Sequence, residues 1–106
     1  MKGNKMTNFG YVLASKMLVE NKLPVLFMYR EEGTDKDSGW RFFSGLEDQD
    51  YVDNPENIAI YDIKTILSID ESVKSYLDST SPAAYERTSS EENFKLVADF
   101  EFENEQ

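Results

Sequence analysis

The alternation of apolar with other side chains predicts four strands in this chain. Period-two patterns run over residues 9–19, 25–30, 40–43 and 94–102. Because short links join the first three, we interpret them as consecutive antiparallel strands of a meander. For residues 14–20 a helix remains an alternative interpretation, since Ala-Ser-Lys-Met-Leu-Val-Glu suits either structure.

Apolar residues recur at helical spacing between residues 62 and 77. Asp62 is typical of a residue that caps a helix, and the apolar residues after it lie on one stripe. Ser68 and Glu71 have the spacing of a capping box, which predicts that a second short helix begins there. We expect both helices to lay their apolar stripe on the sheet. The Ser/Thr-rich residues 78–90 are expected to form a loop.

Together these elements predict an α+β fold, with an antiparallel sheet of four to five strands and two or three short helices packed on one face. The 106 residues suffice for one hydrophobic core. We expect a single domain over residues 10–102, between a flexible N-terminus, 1–9, and a flexible C-terminus, 103–106. No stretch resembles a secretion signal or approaches the roughly 18 apolar residues that span a bilayer. A cytoplasmic protein that does not bind membranes is therefore expected.

Residues 37–45, Asp-Ser-Gly-Trp-Arg-Phe-Phe-Ser-Gly, hold the only Trp of the chain. Trp40 and Phe42 are expected to point to one face of a short strand between the two glycines. Arg41 and Phe43 then point to the other face. Apolar groups on both faces predict a strand that is covered on both sides. The pattern favours a core position for Trp40, and a role in recognition remains the alternative.

The composition excludes several kinds of catalytic site. The chain has no Cys and no His, which rules out cysteine nucleophiles, Ser-His pairs and zinc sites built from these residues. Asp48 and Asp50 begin like the calcium loop of an EF-hand. However, Val52 takes the next ligand position and Asp53 replaces the required glycine. We therefore expect neither a metal nor another cofactor.

Acidic residues outnumber basic ones by 21 to 11, and the formal net charge is −10. The excess lies in the second part of the chain, where residues 47–56 hold five acids and no base. Such a surface repels nucleic acids and steers a basic protein towards it. The alternative is that the charge serves solubility alone.

Two groups of residues are candidates for contact with a partner, which we expect to be a basic protein. The candidates are Arg30, Glu31, Glu32, Asp37, Trp40 and Arg41 around a polar loop, and Glu47, Asp48, Asp50 and Asp53 in the acidic stretch. The two arginines are expected to neutralise loop acids across neighbouring strands. The protein itself is expected to be a monomer or a weak dimer.

Six short stretches of the chain, in this order, resemble those of one bacterial protein family. They are Ser15-Lys16-Met17, Met28-Tyr29-Arg30-Glu31-Glu32, residues 37–45, Asp53-Asn54-Pro55, Ile60-Tyr61-Asp62 and Tyr85-Glu86-Arg87. The family, bacterial domain of unknown function family 2185, is immunity-protein-33-like and associated with polymorphic toxin systems. The resemblance implies a single immunity-like domain in a cytoplasmic protein that binds and neutralises a toxin. It brings no catalytic residues with it.

We therefore interpret the chain as a non-enzymatic, acidic protein-binding domain that is immunity-like. The first alternative is a small-ligand-binding or regulatory domain that uses a pocket near Trp40. The second is a carboxylate-dependent hydrolase, for which a domain of this size offers little room around a sugar.

Overall fold

The structure is a computed structural model and describes residues 10–34, 36–98 and 100. These residues form six strands: β1 (Tyr11–Ser15), β2 (Phe27–Arg30), β3 (Asp37–Phe43), β4 (Ile58–Asp62), β5 (Ala83–Glu86) and β6 (Lys95–Leu96). The helices are α1 (Lys16–Asn21), α2 (Gln49–Asp53) and α3 (Ile63–Ile69), with 3-10 helices at Pro55–Asn57 and Glu71–Tyr76. The predicted α+β class is confirmed. The predicted flexible termini, 1–9 and 103–106, lie outside the described residues.

The six strands form one mixed sheet in the order β4-β1-β3-β2-β5-β6. Strands β1 and β3 run parallel, whereas the other neighbouring pairs are antiparallel. The predicted antiparallel sheet of four to five strands is therefore wrong on two points. The pairing of β1 with β3 is parallel, and the described residues form six strands. The meander is also wrong, because β3 lies between β1 and β2. Helix α1 explains the difference, since parallel neighbours need a crossover connection and this helix is part of it.

Strand β1 ends at Ser15, where the sequence predicted one strand up to residue 19. The alternative interpretation, a helix, is correct from Lys16 onward. Ser15 caps α1, and its Oγ accepts a hydrogen bond from the backbone N–H of Leu18 over 3.0 Å. Leu18 is buried in the core. A local cap and one buried apolar side chain thus favour a helix over a longer strand.

The core lies between the sheet and α1, α3 and the 3-10 helix Glu71–Tyr76. Strands β1 to β3 contribute Val12, Ala14, Met28, Trp40 and Phe42, and the helical side contributes Leu18, Ile63, Ile66, Val73 and Leu77. Helix α2 is different, because none of its residues is buried. One face of the sheet is therefore covered by helices.

Trp40 is part of this core. Its side chain is 0% exposed, and its ring stacks on that of Phe42 with 5.7 Å between centroids. The indole Nε1 donates a hydrogen bond to the carbonyl oxygen of Leu77 over 3.2 Å. The ring is thus buried with its one polar atom satisfied, as large aromatic side chains usually are.

The two helices predicted between residues 62 and 77 are present, but the second begins differently. Asp62 caps α3 as expected. The capping box at Ser68 is wrong, because Ser68 lies inside α3 and its Oγ donates back to the carbonyl oxygen of Thr65. Asp70 caps the 3-10 helix instead. A carboxylate two residues further on takes the role that the serine was expected to play.

Two predictions for the last third of the chain are also corrected. Residues 83–86, predicted as loop, form β5, because the backbone of β2 offers them a complete antiparallel partner. The strand predicted over 94–102 is reduced to β6 within the described residues. Phe94 is buried but Leu96 is 65% exposed, so the predicted alternation does not continue. Residues 99, 101 and 102 of the predicted strand lie outside the described residues.

Candidate functional site

Four aromatic side chains cluster on the face of the sheet opposite the core. Phe27 and Tyr29 of β2 and Phe43 of β3 lie side by side, with ring centroids 5.9–6.1 Å apart. They share this face because alternate residues of a strand point the same way and β2 pairs with β3 in register. Phe100 lies against the first two at 5.4 and 5.1 Å. We call these four residues the aromatic cluster.

The aromatic cluster lines a cleft of about 940 Å³. Three carboxylates also line this cleft, those of Glu31, Glu47 and Glu86, together with the guanidinium group of Arg87. Gln49 and Val52 of α2 form part of its wall. Trp40 does not line the cleft, because its side chain points into the core on the other face of the sheet.

Arg41 is held between two carboxylates on the face of the aromatic cluster. Its Nε donates to Oε2 of Glu31 over 2.7 Å, and its Nη1 and Nη2 donate to the two oxygens of Asp37 over 2.8 and 2.9 Å. The prediction that Arg41 neutralises loop acids is confirmed. The hydrogen bond from Arg41 lowers the pKa of Asp37. Burial of Asp37 acts in the opposite direction, and the hydrogen bond from the N–H of Gly39 lowers the pKa further. Asp37 therefore stays ionised.

Arg30 points to the opposite side of the sheet from Arg41. Its Nε donates to the carbonyl oxygen of Ser38 over 3.0 Å, and its Nη1 donates to that of Ser79 over 2.8 Å. The guanidinium lies 5.8 Å from the centroid of the Trp40 ring. The structure thus separates the two predicted arginines, because they occupy adjacent strands at positions of opposite parity.

Glu47, one of the four predicted acids of the acidic stretch, is tied into the structure. Its Oε2 accepts hydrogen bonds from the hydroxyl of Ser15 and from the N–H and Oγ of Ser44, while its Oε1 accepts from the N–H of Gly45. Burial alone would raise the pKa of Glu47, but these hydrogen bonds together hold it below its usual value. The carboxylate thereby links the end of β3 to the start of α1.

The other three acids, Asp48, Asp50 and Asp53, are exposed on or next to α2, and we call them the acidic border. Asp48 caps this helix through the N–H of Tyr51, at 2.9 Å. Because Gln49 of the same helical turn lines the cleft, the acidic border lies beside it. Glu32, also predicted, is exposed.

The aromatic cluster is the feature that sequence reasoning did not recognise as a site. The alternation over residues 25–30 predicts only an ordinary strand that contains Phe27 and Tyr29. A signal was present, since apolar residues occupy both parities of β2 and β3 and predict cover on both faces. In the described part of the chain, α1, α3 and the 3-10 helix Glu71–Tyr76 cover one face, whereas on the other face α2 only borders the cleft that the rings line.

No three acidic side chains among residues 10–34, 36–98 and 100 are arranged to hold a metal ion. No helix in that part of the chain has the length and apolar character needed to cross a membrane.

The Immunity protein Imm33 domain family matches the chain over residues 12–98. The chain belongs to this family. The match confirms the resemblance seen in the six short stretches, and it extends past residue 90 to include β6. Three members of the aromatic cluster lie within the Imm33 domain, and Phe100 lies just beyond it. Neither the curated proteins nor the solved structures contain a match to the chain.

Proposed function

We propose that this Imm33 protein is a non-enzymatic immunity protein that neutralises a toxin by covering a basic part of the toxin's surface. The observation that carries the proposal is the face of the sheet opposite the core, where an aromatic cluster lies beside exposed carboxylates. Membership of the Imm33 family supports a toxin as the partner. The absence of Cys suits a protein that acts in the reducing cytoplasm.

The two parts of this surface have different tasks in the proposal. The aromatic cluster supplies apolar area, and aromatic side chains are the usual anchors of protein interfaces. The acidic border supplies an electrostatic field, which accelerates the encounter with a basic protein. A net charge of −10 also opposes association between two copies, which favours a monomer.

The lowered pKa values of Asp37 and Glu47 support binding rather than hydrolysis. A hydrolase that uses paired carboxylates needs one of them to keep its proton at neutral pH. Here the pKa of Asp37 is lowered chiefly by the hydrogen bond from Arg41, and the hydrogen bonds to Glu47 outweigh its burial. Neither group is suited to donate a proton, and both already have fixed partners.

The cleft favours a second candidate function, the binding of a small ligand. Its volume, about 940 Å³, lies within the range of roughly 300–1,000 Å³ that is typical of ligand sites. Such a ligand would contact the aromatic cluster and not Trp40.

The test begins with a search for a toxin gene beside the gene of this protein. We expect the purified protein to form a stoichiometric complex with that toxin in titration calorimetry, and its coexpression to protect cells from the toxin. A folded protein that neither binds the toxin nor protects the cells would refute the proposal. If mass spectrometry of the denatured protein then reveals a retained small molecule, the second candidate is favoured.

A further inference from the structure

We propose that the cleft receives an arginine or lysine side chain of the partner, held between the aromatic cluster and the carboxylates of Glu31, Glu47 and Glu86. This inference deepens the proposed function and rests on it. It names the kind of side chain that the cleft recognises, which the acidity of the surface alone does not identify.

The arrangement of the rings is suited to a cation. Tyr29 and Phe43 are nearly parallel, at 13°, whereas Phe27 and Phe100 are tilted by 54° to each other. Rings at such different tilts around one cleft present both faces and edges to its occupant. A cation within about 6 Å of a ring centroid is attracted by the negative face of the ring.

The charges around the cleft favour the same occupant. Arg87 is the one guanidinium group among the described lining residues, and it is already committed to Asp70 and to the carbonyl oxygen of Val25. Its side chain is only 2% exposed. Arg41, which does not line the cleft, is shared between the carboxylates of Glu31 and Asp37, so that this ion cluster keeps a negative charge.

The other two carboxylates that line the cleft, those of Glu47 and Glu86, form no ion pair with another described residue. Glu47 accepts hydrogen bonds only from hydroxyl and backbone N–H groups, which leave its charge uncompensated. Glu86 is exposed in β5, opposite Lys95 of β6. Among the described residues, carboxylates therefore exceed cationic groups around the cleft, even with Lys95 included.

A long cationic side chain matches both the rings and the carboxylates that line the cleft. Its methylene stem packs against the rings while its charged end reaches the carboxylates. A purely apolar side chain would desolvate these carboxylates without a partner, which is costly. An anionic group would be repelled. The volume of about 940 Å³ also admits the backbone on either side of the inserted residue.

The experiment titrates the protein with three capped tripeptides, Gly-Arg-Gly, Gly-Lys-Gly and Gly-norleucine-Gly, and follows the ring-proton resonances of Phe27 and Tyr29 by NMR. Norleucine has the stem of lysine without its charge and is therefore the matched control. We expect saturable shifts with the arginine and lysine peptides and none with the norleucine peptide. Equal shifts with all three peptides, or no shift with any of them, would overturn the inference.

Two variants separate the contributions of ring and charge. Tyr29→Leu keeps an apolar side chain but removes the ring, and we expect it to weaken arginine-peptide binding about fivefold. Glu86→Gln, at an exposed position, is expected to weaken it and to leave the thermal midpoint unchanged. Glu91→Gln, exposed and outside the cleft lining, is the matched control and should bind as the wild type does. Unaltered peptide binding by both cleft variants would contradict the inference.

The same variants tested against the toxin distinguish this inference from the proposed function. Tyr29→Leu and Glu86→Gln should weaken the toxin complex, whereas Glu91→Gln should not. A wild-type protein that binds the toxin, together with cleft variants that bind it equally well, overturns the inference and leaves the proposed function intact. A wild-type protein that does not bind the toxin refutes the proposed function, while the peptide titration still reports on the cleft.

Discussion

Arg87 and Asp70 form a buried ion pair, with 2.7 Å between Nη2 of the arginine and Oδ2 of the aspartate. The same aspartate oxygen accepts a hydrogen bond from the N–H of Val25, and the Nε of Arg87 donates to the carbonyl oxygen of Val25. The guanidinium also lies 4.1 Å from the ring centroid of Phe94. The pair thus ties the chain before β2 to the residue after β5 and to the cap of the 3-10 helix Glu71–Tyr76.

Replacing Asp70 by Asn should destabilise the protein by about 3–5 kcal/mol, because it leaves a buried guanidinium without its counter-charge. Urea denaturation at neutral pH measures the change in the free energy of unfolding. Asp78→Asn, at an exposed position, is the matched control and should be nearly neutral. Equal effects of the two substitutions would show that the ion pair contributes no special stability.

Trp40→Ala should also destabilise strongly, by about 3–5 kcal/mol, since it opens a cavity in the core and removes the hydrogen bond to Leu77. The control is Leu46→Ala, because Leu46 is 68% exposed. Chemical denaturation of both variants checks the prediction. A Trp40 variant of near-native stability would mean that the ring does not support the core.

The stability of the protein should fall on acidification, because the folded pKa values of Asp37 and Glu47 lie below their usual values of 3.8 and 4.5. In the unfolded chain these groups take up protons at a higher pH than in the folded protein. Their stabilisation is therefore complete above about pH 5 and is lost as the pH falls through the folded pKa values. Urea denaturation at a series of pH values between about 7 and 3 measures this loss.

Glu47→Gln tests the second of these two groups directly. The variant should be less stable than the wild type at neutral pH, and its stability should depend less on pH in the acid range. Glu71→Gln, at an exposed position, is the control and should keep the wild-type dependence. An unchanged pH profile in the Glu47 variant would show that the hydrogen-bonded carboxylate is not linked to folding.

Neutralising the acidic border should slow association with the proposed basic toxin more than it accelerates dissociation. The variant carries Asp48→Asn, Asp50→Asn and Asp53→Asn. Asn keeps the capping ability of position 48, so that α2 should survive. Stopped-flow or surface-binding kinetics measure both rates. The difference from the wild type should shrink as salt reduces the Debye length to about 8 Å.

The control for this prediction changes the same net charge elsewhere. It carries Glu71→Gln, Asp78→Asn and Glu91→Gln, which are exposed and do not line the cleft. A larger rate loss in the border variant identifies the position of the acids, and not the total charge, as the cause. Equal rates in both variants, or a wild-type rate that does not depend on salt, would contradict the prediction. Glu47 is left out because its carboxylate holds the structure together.

Several parts of the fold and site could be predicted because they depend on neighbours in the sequence. Asp62 caps α3, and its side chain accepts a hydrogen bond from the N–H of Lys64, only two residues further on. The opposite directions of Trp40 and Arg41 follow from the geometry of any strand. The ion pair of Arg41 with Asp37 joins residues four positions apart. Each of these relationships needs only a short segment of chain.

Other parts were predicted wrongly because two local solutions were close in energy. Residues 16–19 suit a strand or a helix by pattern, and the cap at Ser15 together with the burial of Leu18 favours the helix. Ser68 had the spacing of a cap, yet a nearby aspartate is the cap in the folded chain. Local pattern alone did not separate such alternatives, because each differs from its competitor by a few hydrogen bonds.

The sequence by itself determined the α+β class, the acidic character and the absence of cysteine and histidine chemistry, since these depend on composition and on short-range periodicity. Only the tertiary structure decided that β3 inserts between β1 and β2, that Glu47 holds two elements together and that Phe27, Tyr29, Phe43 and Phe100 meet in one cleft. These are contacts between segments far apart in the chain. Their free energy depends on which backbones pair and which surfaces remain uncovered, and that is settled when the whole sheet and its helices pack together.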